Sequence, residues 1–341
     1  MINFSSENFT GVHDKIMDAL IKANTGTVPS YGTDSYTEET INIFKEHFGN
    51  DIDVFFTFNG TGANNFGLGC VVERHHSIFC SDEAHLYVNE STAPEAFLGC
   101  RLYPIKTLDG KISIDDLENN IKKADSIHFP LPKVVSITQP TECGTVYTID
   151  ELNAIKKVCV ENKLLFHVDG ARFFNAAAHL GVSLKNLSAD IGIDILTLGG
   201  TKNGMMFGEA VVFFNSSDTR SFRYNLKRSM QMASKNRFIA VQFRATLKDG
   251  LWKNIAAHTN ALAKTFESML AETPGVEITY PVESNAIFIE LSTSLQSTLA
   301  QRAGFYLWDE SKNICRFMFS FDNTIEEVKT FIRQLQNAIG T

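Results

Sequence analysis

Two kinds of hydrophobic pattern alternate along most of the chain. Compact runs of apolar and β-branched residues predict buried strands, and segments with an apolar residue every three or four positions predict amphipathic helices. The predicted strands cover residues 54–58, 78–80, 101–106, 133–138, 164–168 and 193–198. The predicted helices include residues 12–23, 92–98, 115–123 and 148–162. This alternation predicts an α/β fold with a mostly parallel, doubly wound sheet.

The pattern changes after residue 217, where long helical segments continue to about residue 272. Short strands follow at residues 276–280, 286–291, 305–307 and 314–319, before a terminal helix over residues 324–338. Short strands that end in a helix are typical of a small α/β domain. The sequence therefore predicts a large domain over residues 1–250, which includes the N-terminal segment, and a small C-terminal α/β domain over residues 251–341.

The composition is that of an ordinary globular protein of 341 residues, 44% hydrophobic and 21% charged. A formal net charge of -8 argues against a nucleic-acid partner. The first residues lack the pattern of a signal peptide, and no apolar run is long enough to span a membrane. The six cysteines show no metal-ligand spacing, so we expect reduced thiols and no metal site. We expect a cytoplasmic protein that binds neither membranes nor nucleic acid.

One lysine stands where charged residues are uncommon. Lys202 follows the predicted strand 193–198 and the pair Gly199-Gly200, and an apolar segment over residues 204–214 comes next. Ligands collect at the carboxyl ends of strands in open α/β sheets. Partial desolvation there favours the neutral, nucleophilic amine, which suits Schiff-base chemistry. The alternative is a surface lysine in a glycine turn.

Two further strand ends carry polar groups that match this chemistry. Gly60, Thr61 and Gly62 lie where a strand passes into a helix, and free N–H groups, a hydroxyl and the helix dipole suit a phosphate there. His85 lies in a polar loop after another strand, where its ring could stack on a flat cofactor. The alternatives are a simple glycine turn and a structural histidine.

A carboxylate ends the strand over residues 164–168. Burial of the Asp169 carboxylate at this strand end would cost free energy if the group lacked a cationic partner. The position would suit a carboxylate that keeps a pyridine nitrogen protonated through a charge-assisted hydrogen bond. Arg172, three residues later, suits an anionic oxygen. The alternatives are a helix N-cap for Asp169 and a solvated helix charge for Arg172.

These groups together meet the needs of pyridoxal 5'-phosphate (PLP): a Schiff-base lysine, a pyridinium partner, a phosphate site and a stacking ring. They follow one another in the order phosphate site, histidine, aspartate and lysine. A dinucleotide-binding dehydrogenase is disfavoured because no glycine fingerprint with an acidic residue about 20 positions later is present. The sequence therefore predicts a PLP site.

Six motifs carry a resemblance to a known family. They are Phe-Asn-Gly-Thr-Gly-Ala-Asn (58–64), Asp-Glu-Ala-His (82–85), Ile-His-Phe-Pro (127–130), Thr-Gln-Pro-Thr-Glu-Cys-Gly (138–144), His-Val-Asp-Gly-Ala-Arg-Phe (167–173) and Gly-Gly-Thr-Lys-Asn-Gly (199–204). On these motifs the chain resembles the low-specificity L-threonine aldolases, in particular the bacterial branch that also handles phenylserine. The resemblance covers nearly the whole chain, from Ser6 to Arg316-Phe-Met. It implies the aspartate-aminotransferase-like fold type I, with a PLP-dependent transferase-like large domain.

The resemblance also implies roles for individual residues. Lys202 would form the Schiff base with PLP, Asp169 would bind the pyridine nitrogen, and His85 would stack on the ring. The phosphate would be held by Gly60, Thr61 and Gly62.

The substrate carboxylate would be bound by Ser6, Arg172 and Arg316, since arginine pairs with carboxylates through two hydrogen bonds. Tyr31, as a substrate contact, and Arg237, as a cofactor contact, match segments that family members contribute across a subunit interface. Shared sites imply a homo-oligomer, at least a dimer and by resemblance a tetramer. The alternative for the basic run over residues 220–244 is a solvated helix face.

The implied reaction is retro-aldol cleavage of the Cα–Cβ bond of L-threonine or L-allo-threonine, giving glycine and an aldehyde. Phenylserine is a further candidate substrate. A base must take the β-hydroxyl proton, and His85 and His128 are candidates because imidazole titrates near neutral pH. We rank His85 first and expect that water could substitute for it as the base. One departure from the family is Glu7, where relatives usually have Asp, and its extra methylene changes how the N-terminal segment packs beside the carboxylate site.

Two classes of alternative stay open at this point. The nearest is another PLP enzyme of fold type I, a β-eliminating lyase or an aminotransferase. The other is a catalytically silent ligand-binding or assembly protein that keeps the fold.

Overall fold

The computed structural model describes residues 2–340, except residue 125, residues 216–219, residue 272 and residue 274. The α-helices are α1 (Asp14–Ala23), α2 (Ser35–Phe48), α3 (Gly60–Gly69), α4 (His85–Val88), α5 (Ala93–Leu98), α6 (Ile114–Lys123), α7 (Ile149–Glu161), α8 (Phe173–Leu180), α9 (Arg220–Arg228), α10 (Arg237–Leu247), α11 (Leu251–Leu270), α12 (Thr293–Leu299) and α13 (Ile325–Ile339). The strands are β1 (Ile2–Asn3), β2 (Ile52–Thr57), β3 (His76–Ser81), β4 (Arg101–Ile105), β5 (Leu131–Thr138), β6 (Leu165–Gly170), β7 (Ile195–Gly199), β8 (Glu209–Phe214), β9 (Glu277–Ile278), β10 (Ala286–Glu290), β11 (Ala303–Gly304), β12 (Tyr306–Asp309) and β13 (Ile314–Met318).

A seven-stranded sheet forms the centre of the fold, with the strand order β2-β8-β7-β6-β5-β3-β4. Strands β3 to β7 pair in parallel, whereas β8 runs antiparallel to both of its neighbours, β2 and β7. The prediction of an α/β fold with a mostly parallel sheet is therefore confirmed. A second, antiparallel sheet has the order β12-β13-β10-β9, and β1 pairs in parallel with β11.

One edge of the large sheet gathers the polar strand ends. The carboxyl ends of β2, β3, β5, β6 and β7 meet at this edge, as is usual for ligand sites of open α/β sheets. Because β8 is antiparallel, its first residue comes to the same edge: Glu209 pairs with Thr57 of β2 and with Gly199 of β7. At the same edge, Asp169 on β6 lies beside Thr138 on the parallel strand β5.

Local sequence signals explain several element ends. The Thr148 hydroxyl and the Glu151 carboxylate form the capping box that starts α7. Helix α3 begins at Gly60 because the Asn59 side chain accepts a hydrogen bond from the backbone N–H of Gly62. Helix α3 ends at Gly69, because the chain turns there before β3 begins.

Helix α11 connects two hydrophobic clusters. Its first turns place Leu251 and Trp252 in the cluster that packs against the large sheet. Its later turns place Leu262 and Phe266 in a cluster formed with β10, β13 and α13. Phe4, from the N-terminal segment, packs in this second cluster against Phe266 and three further phenylalanines. The domain division after residue 250 stays a prediction, and the two clusters meet along α11.

All six cysteines are free, and all except Cys70 are buried. Within the described ranges, no helix is both long and apolar enough to cross a membrane.

Candidate active site

A cavity of about 610 Å³ opens at the sheet edge that gathers the strand ends. Residues from the N-terminal segment, from β12 and from β13 complete its wall, so both sheets contribute to it. The predicted site residues that line it are Ser6, Gly60, Thr61, His85, Asp169, Arg172, Lys202 and Arg316. Residues separated by up to about three hundred positions in the sequence are thus brought to one cavity.

Lys202 lies in a single 3₁₀ turn, Thr201–Asn203, directly after β7. The Glu209 carboxylate holds this turn, because it accepts hydrogen bonds from the Gly200 backbone N–H at 2.7 Å and from the Thr201 hydroxyl at 2.8 Å. The positive charge of Arg172 lowers the pKa of the Lys202 ammonium, and burial lowers it further, against nearby carboxylates. This lowering favours the neutral amine that a carbonyl-binding lysine needs.

Asp169 is buried and fixed by two hydrogen bonds. Its Oδ2 accepts a hydrogen bond from Asn64 Nδ2 at 2.8 Å, and its Oδ1 accepts one from the Ala171 backbone N–H at 3.0 Å. Asn64 Nδ2 also donates to Glu90 Oε1 at 2.9 Å, and Glu90 Oε1 lies 3.1 Å from His85 Nδ1. A chain of hydrogen bonds therefore links the aspartate to the histidine ring. The hydrogen bond that the His85 ring donates to Glu90 raises the pKa of His85 above its ordinary value, and burial opposes this effect.

A second carboxyl group lines the cavity beside His85. Glu142 Oε1 accepts hydrogen bonds from the His85 backbone N–H and from the Thr138 hydroxyl, each at 2.7 Å. Burial raises the pKa of Glu142 to about 7, although both hydrogen bonds act to lower it. Burial likewise raises the pKa of Glu209 to about 7. Two carboxyl groups of this cavity therefore titrate near neutral pH.

The N-terminus of α3 provides the expected phosphate position. Gly60 and Thr61 line the cavity together with Asn59, and backbone N–H groups at a helix N-terminus favour anions. Gly62 faces a neighbouring pocket instead, where the Gln231 side chain covers it. A Cβ at this position would lie 2.3 Å from the Gln231 side chain, so only glycine fits beneath the amide as it is placed here.

Arg172 is held by a buried carboxylate from the N-terminal segment. Its Nε donates to Glu7 Oε1 at 2.6 Å and its Nη2 donates to Glu7 Oε2 at 3.0 Å. Asn285 Nδ2 donates a further hydrogen bond to Glu7 Oε1 at 2.8 Å. Burial alone would raise the pKa of Glu7, but Arg172 lowers it to about 2. Ser6, the next residue toward the N-terminus, lines the cavity.

The second arginine reaches the cavity from β13. Its guanidinium carbon lies 5.0 Å from the centre of the Tyr306 ring and 5.5 Å from that of Trp308, so Arg316 packs between two aromatic side chains of β12. Burial lowers the pKa of Arg316 to about 10, and the charge of Arg172 adds to this effect. Arg316 Nε is buried without a partner in the described part of the chain. Such a donor suits an incoming carboxylate.

Besides Gly62, three predicted site residues lie outside this cavity. His128 is exposed in the loop between α6 and β5, so this subunit does not bring it to the cavity as a base. Arg237 donates to the backbone carbonyls of Thr25 and Gly26, outside the cavity. Tyr31 is exposed, with a backbone φ of 59°, and the Lys227 ammonium lies 5.0 Å from its ring centre. Within one subunit none of these three side chains lines the cavity, and their roles at the site stay predictions.

Four residues of the cavity wall were missed by sequence reasoning: Asn64, Glu90, Glu142 and Glu209. Glu142 comes shortly after the end of β5, and Asp169 lies at the end of β6. The rule that ligands bind at the carboxyl ends of parallel strands, which indicated Asp169, therefore applied to Glu142 as well. Glu209 is the one acidic residue between Gly204 and Phe214, a segment that is otherwise almost entirely apolar. Asn64 and Glu90 gave no comparable signal, because their partners are distant in the sequence.

Comparisons with known proteins agree with this geometry. Residues 3–294 match the Beta-eliminating lyase family. The low specificity L-threonine aldolase of Pseudomonas aeruginosa is 40% identical over 338 residues, which cover 99% of this chain and 98% of that protein. The low specificity L-threonine aldolase of a Pseudomonas species is 39% identical over 339 residues, 98% of each chain.

A solved structure agrees as well. The threonine aldolase of Leishmania major superposes with a TM-score of 0.94 at 27% identity and covers 99% of both chains. The resemblance that the six motifs indicated is therefore confirmed. This chain belongs to the beta-eliminating lyase family and, within it, to the low-specificity L-threonine aldolases.

Proposed function

We propose that this protein is a PLP-dependent aldolase that cleaves L-threonine and L-allo-threonine into glycine and acetaldehyde. The observation that carries the proposal is that Lys202 and Asp169 line the same cavity as Arg172 and Arg316. A nucleophilic amine, a buried carboxylate and two carboxylate-binding cations are the groups that this chemistry needs.

The residues present fit PLP. Lys202 would supply the amine that bonds the cofactor aldehyde, and Asp169 would supply the carboxylate for the pyridine nitrogen. The backbone of Asn59, Gly60 and Thr61 at the start of α3 would supply donors for the phosphate. His85 would supply a ring that can stack on the cofactor. When bound, PLP supplies an electron sink for the charge that develops on the substrate Cα.

The substrate is a small amino acid that the two arginines orient. Arg172, fixed by Glu7, and Arg316, packed between Tyr306 and Trp308, bind the α-carboxylate, with Ser6 beside them. Fixing the carboxylate fixes rotation about the Cα–N bond, and so decides which bond of Cα breaks. The β-hydroxyl proton then needs an acceptor inside the cavity. His85 lines the cavity and stays a candidate, whereas His128 is exposed in this subunit.

A homo-oligomer completes the proposal. Tyr31 and Arg237 lie outside the cavity of their own subunit, which agrees with a contribution to a partner's site. We expect a dimer with shared sites as the smallest active unit and a tetramer as the assembled form, which sedimentation of the holoenzyme would measure. Six free thiols agree with a reducing, cytoplasmic compartment.

Incubation of the purified holoenzyme with L-threonine tests the function. Acetaldehyde and glycine in equal amounts support the aldolase. Production of 2-oxobutanoate would instead identify a β-eliminating lyase, and a pyridoxamine form of the cofactor would identify an aminotransferase. A protein that binds no PLP would favour a catalytically silent relative. Parallel assays with L-allo-threonine and phenylserine would rank the substrates.

A further inference from the structure

Glu142 is a buried carboxyl group of the cavity that the proposed cofactor and substrate contacts do not use. It lies four residues beyond the end of β5 and lines the cavity between the sheet edge and the His85 loop. Its Oε1 is fixed by the His85 backbone N–H and the Thr138 hydroxyl. Two donors on one oxygen hold the carboxyl group in a single orientation, so this side chain is rigid before any ligand arrives.

The other oxygen of this carboxyl group, Oε2, is shielded from solvent and accepts no hydrogen bond from the described residues. A buried carboxylate oxygen without a hydrogen bond costs free energy, so a hydrogen bond from a polar atom of a ligand would be favourable there. The charge of Glu142 acts on Arg172, but Glu7 already pairs with that arginine. Other titratable groups around it are Asp169, His85, Cys80, Cys143 and Tyr147.

His85 is less suited to accept a proton. Its Nδ1 is tied to Glu90, which Asn64 in turn links to Asp169, and this arrangement favours the imidazolium. An imidazolium can stack on a ring and donate hydrogen bonds, but it cannot take a proton. Glu142, whose pKa burial raises to about 7, is half ionised at neutral pH, where a general base is most effective.

We propose that Glu142 is the catalytic base that takes the β-hydroxyl proton of the substrate. This inference rests on the proposed function. The carboxylate accepts the proton, and the O–H bonding pair forms the carbonyl π bond of the departing aldehyde. The Cα–Cβ bond breaks, and its electron pair stays with Cα. A proton from solvent completes the new Cα–H bond of glycine, and Glu142 returns its own proton to solvent.

Glu142→Gln tests the role with little change in shape, because the amide oxygen still accepts from His85 N–H and the Thr138 hydroxyl. We expect threonine cleavage by the holoenzyme variant to fall about 100-fold or more. Exchange of the glycine Cα proton with heavy water, followed by NMR, involves no β-hydroxyl. If only the proton acceptor is lost, the rate of this exchange and the PLP absorbance should each stay within about threefold of the values for the parent protein.

The pH dependence adds two matched variants. In the parent protein kcat/KM should rise with pH through about 7, because the base must be ionised. This rise of kcat/KM with pH should be absent in Glu142→Gln and present in His85→Asn. Thr138→Val removes a hydrogen bond that lowers the pKa of Glu142, so in this variant the rise should occur at higher pH.

The remaining outcomes overturn the proposal. Cleavage by Glu142→Gln close to the parent rate would remove Glu142 from the reaction. Equal loss of cleavage and glycine exchange would assign it a structural role, and loss of the pH limb in His85→Asn instead would return the base to the histidine. A parent protein that exchanges the glycine proton but releases no acetaldehyde from threonine would contradict the proposed function itself, which is a separate result.

Discussion

Glu7 and Arg172 form a buried ion pair with two hydrogen bonds, of 2.6 and 3.0 Å, across 165 positions of the sequence. Glu7 is 3% exposed and opens the 3₁₀ turn that follows Ser6. The extra methylene relative to the Asp usual in the family is therefore accommodated, because the longer side chain reaches both Nε and Nη2 of the guanidinium. The N-terminal segment therefore fixes the arginine that we propose binds the substrate carboxylate.

Shortening this carboxylate should weaken substrate binding. In Glu7→Asp we expect the carboxylate to lose one of its two hydrogen bonds to Arg172, so that the guanidinium is less well fixed. Because a hydrogen bond to a charged group contributes about 1.5–3 kcal/mol, KM for threonine should rise roughly tenfold or more. Steady-state assays measure this. The control is Glu39→Gln, which removes the exposed partner of Arg244 and should leave KM unchanged; equal KM values for parent and Glu7→Asp would contradict the positioning role.

The same carboxylate makes stability depend on acid pH. The pKa of Glu7 is lowered from 4.5 to about 2 in the folded chain, so its contribution is present above pH 4.5 and is lost as the pH falls toward 2. In the unloaded protein, denaturant midpoints between about pH 6 and pH 3 should decline less steeply for Glu7→Gln than for the parent. At about pH 6 the variant should be less stable by about 3–5 kcal/mol, because Arg172 is left buried without its partner. Parallel declines would show that Glu7 has an ordinary pKa.

Removing the charge of Asp169 should affect chemistry more than folding. Asp169→Asn keeps the side-chain shape but loses the charge that holds a pyridine nitrogen protonated. We expect acetaldehyde release to fall roughly 10- to 150-fold, the equivalent of one charge-assisted hydrogen bond. Asp194→Asn is the control, since Asp194 pairs with Lys156 outside the cavity. Unchanged turnover in Asp169→Asn would exclude the assigned contact.

Arg316 should not be replaceable by lysine. Its planar guanidinium packs between Tyr306 and Trp308, and an ammonium can neither stack in this way nor pair with a carboxylate through two parallel hydrogen bonds. We expect Arg316→Lys to raise KM for threonine about tenfold or more, with PLP absorbance retained. Arg244→Lys, at a site far from the cavity, is the matched control. A variant with the parent KM would remove Arg316 from the carboxylate site.

The sequence was most informative where a local pattern has one structural meaning. Lys202 and Asp169 could be placed at one sheet edge because each follows a short apolar run, and parallel strands end together. The same rule applied to Glu142, whereas Glu209 reaches this edge only because it begins an antiparallel strand. Each of these carboxyl groups is recognisable as unusual only once its burial is known. Their raised pKa values depend on that burial.

Residues whose role depends on distant partners could not be predicted. Asn64 joins Glu90 to Asp169, and nothing in the sequence near Asn64 indicates either contact. His128 was a candidate base from its residue type, but the path of the loop before β5 leaves it exposed. The partner of Arg172 was likewise hidden, because an ion pair across 165 positions leaves no local pattern.

The assignment of Lys202 is tested by locating the bond between PLP and the chain. The holoenzyme is reduced with borohydride, digested and mapped by mass spectrometry. We expect one pyridoxyl-modified peptide, with the label on Lys202, and no label at any position in Lys202→Ala. A label on another lysine, or an unlabelled Lys202 in a protein that cleaves threonine, would contradict it.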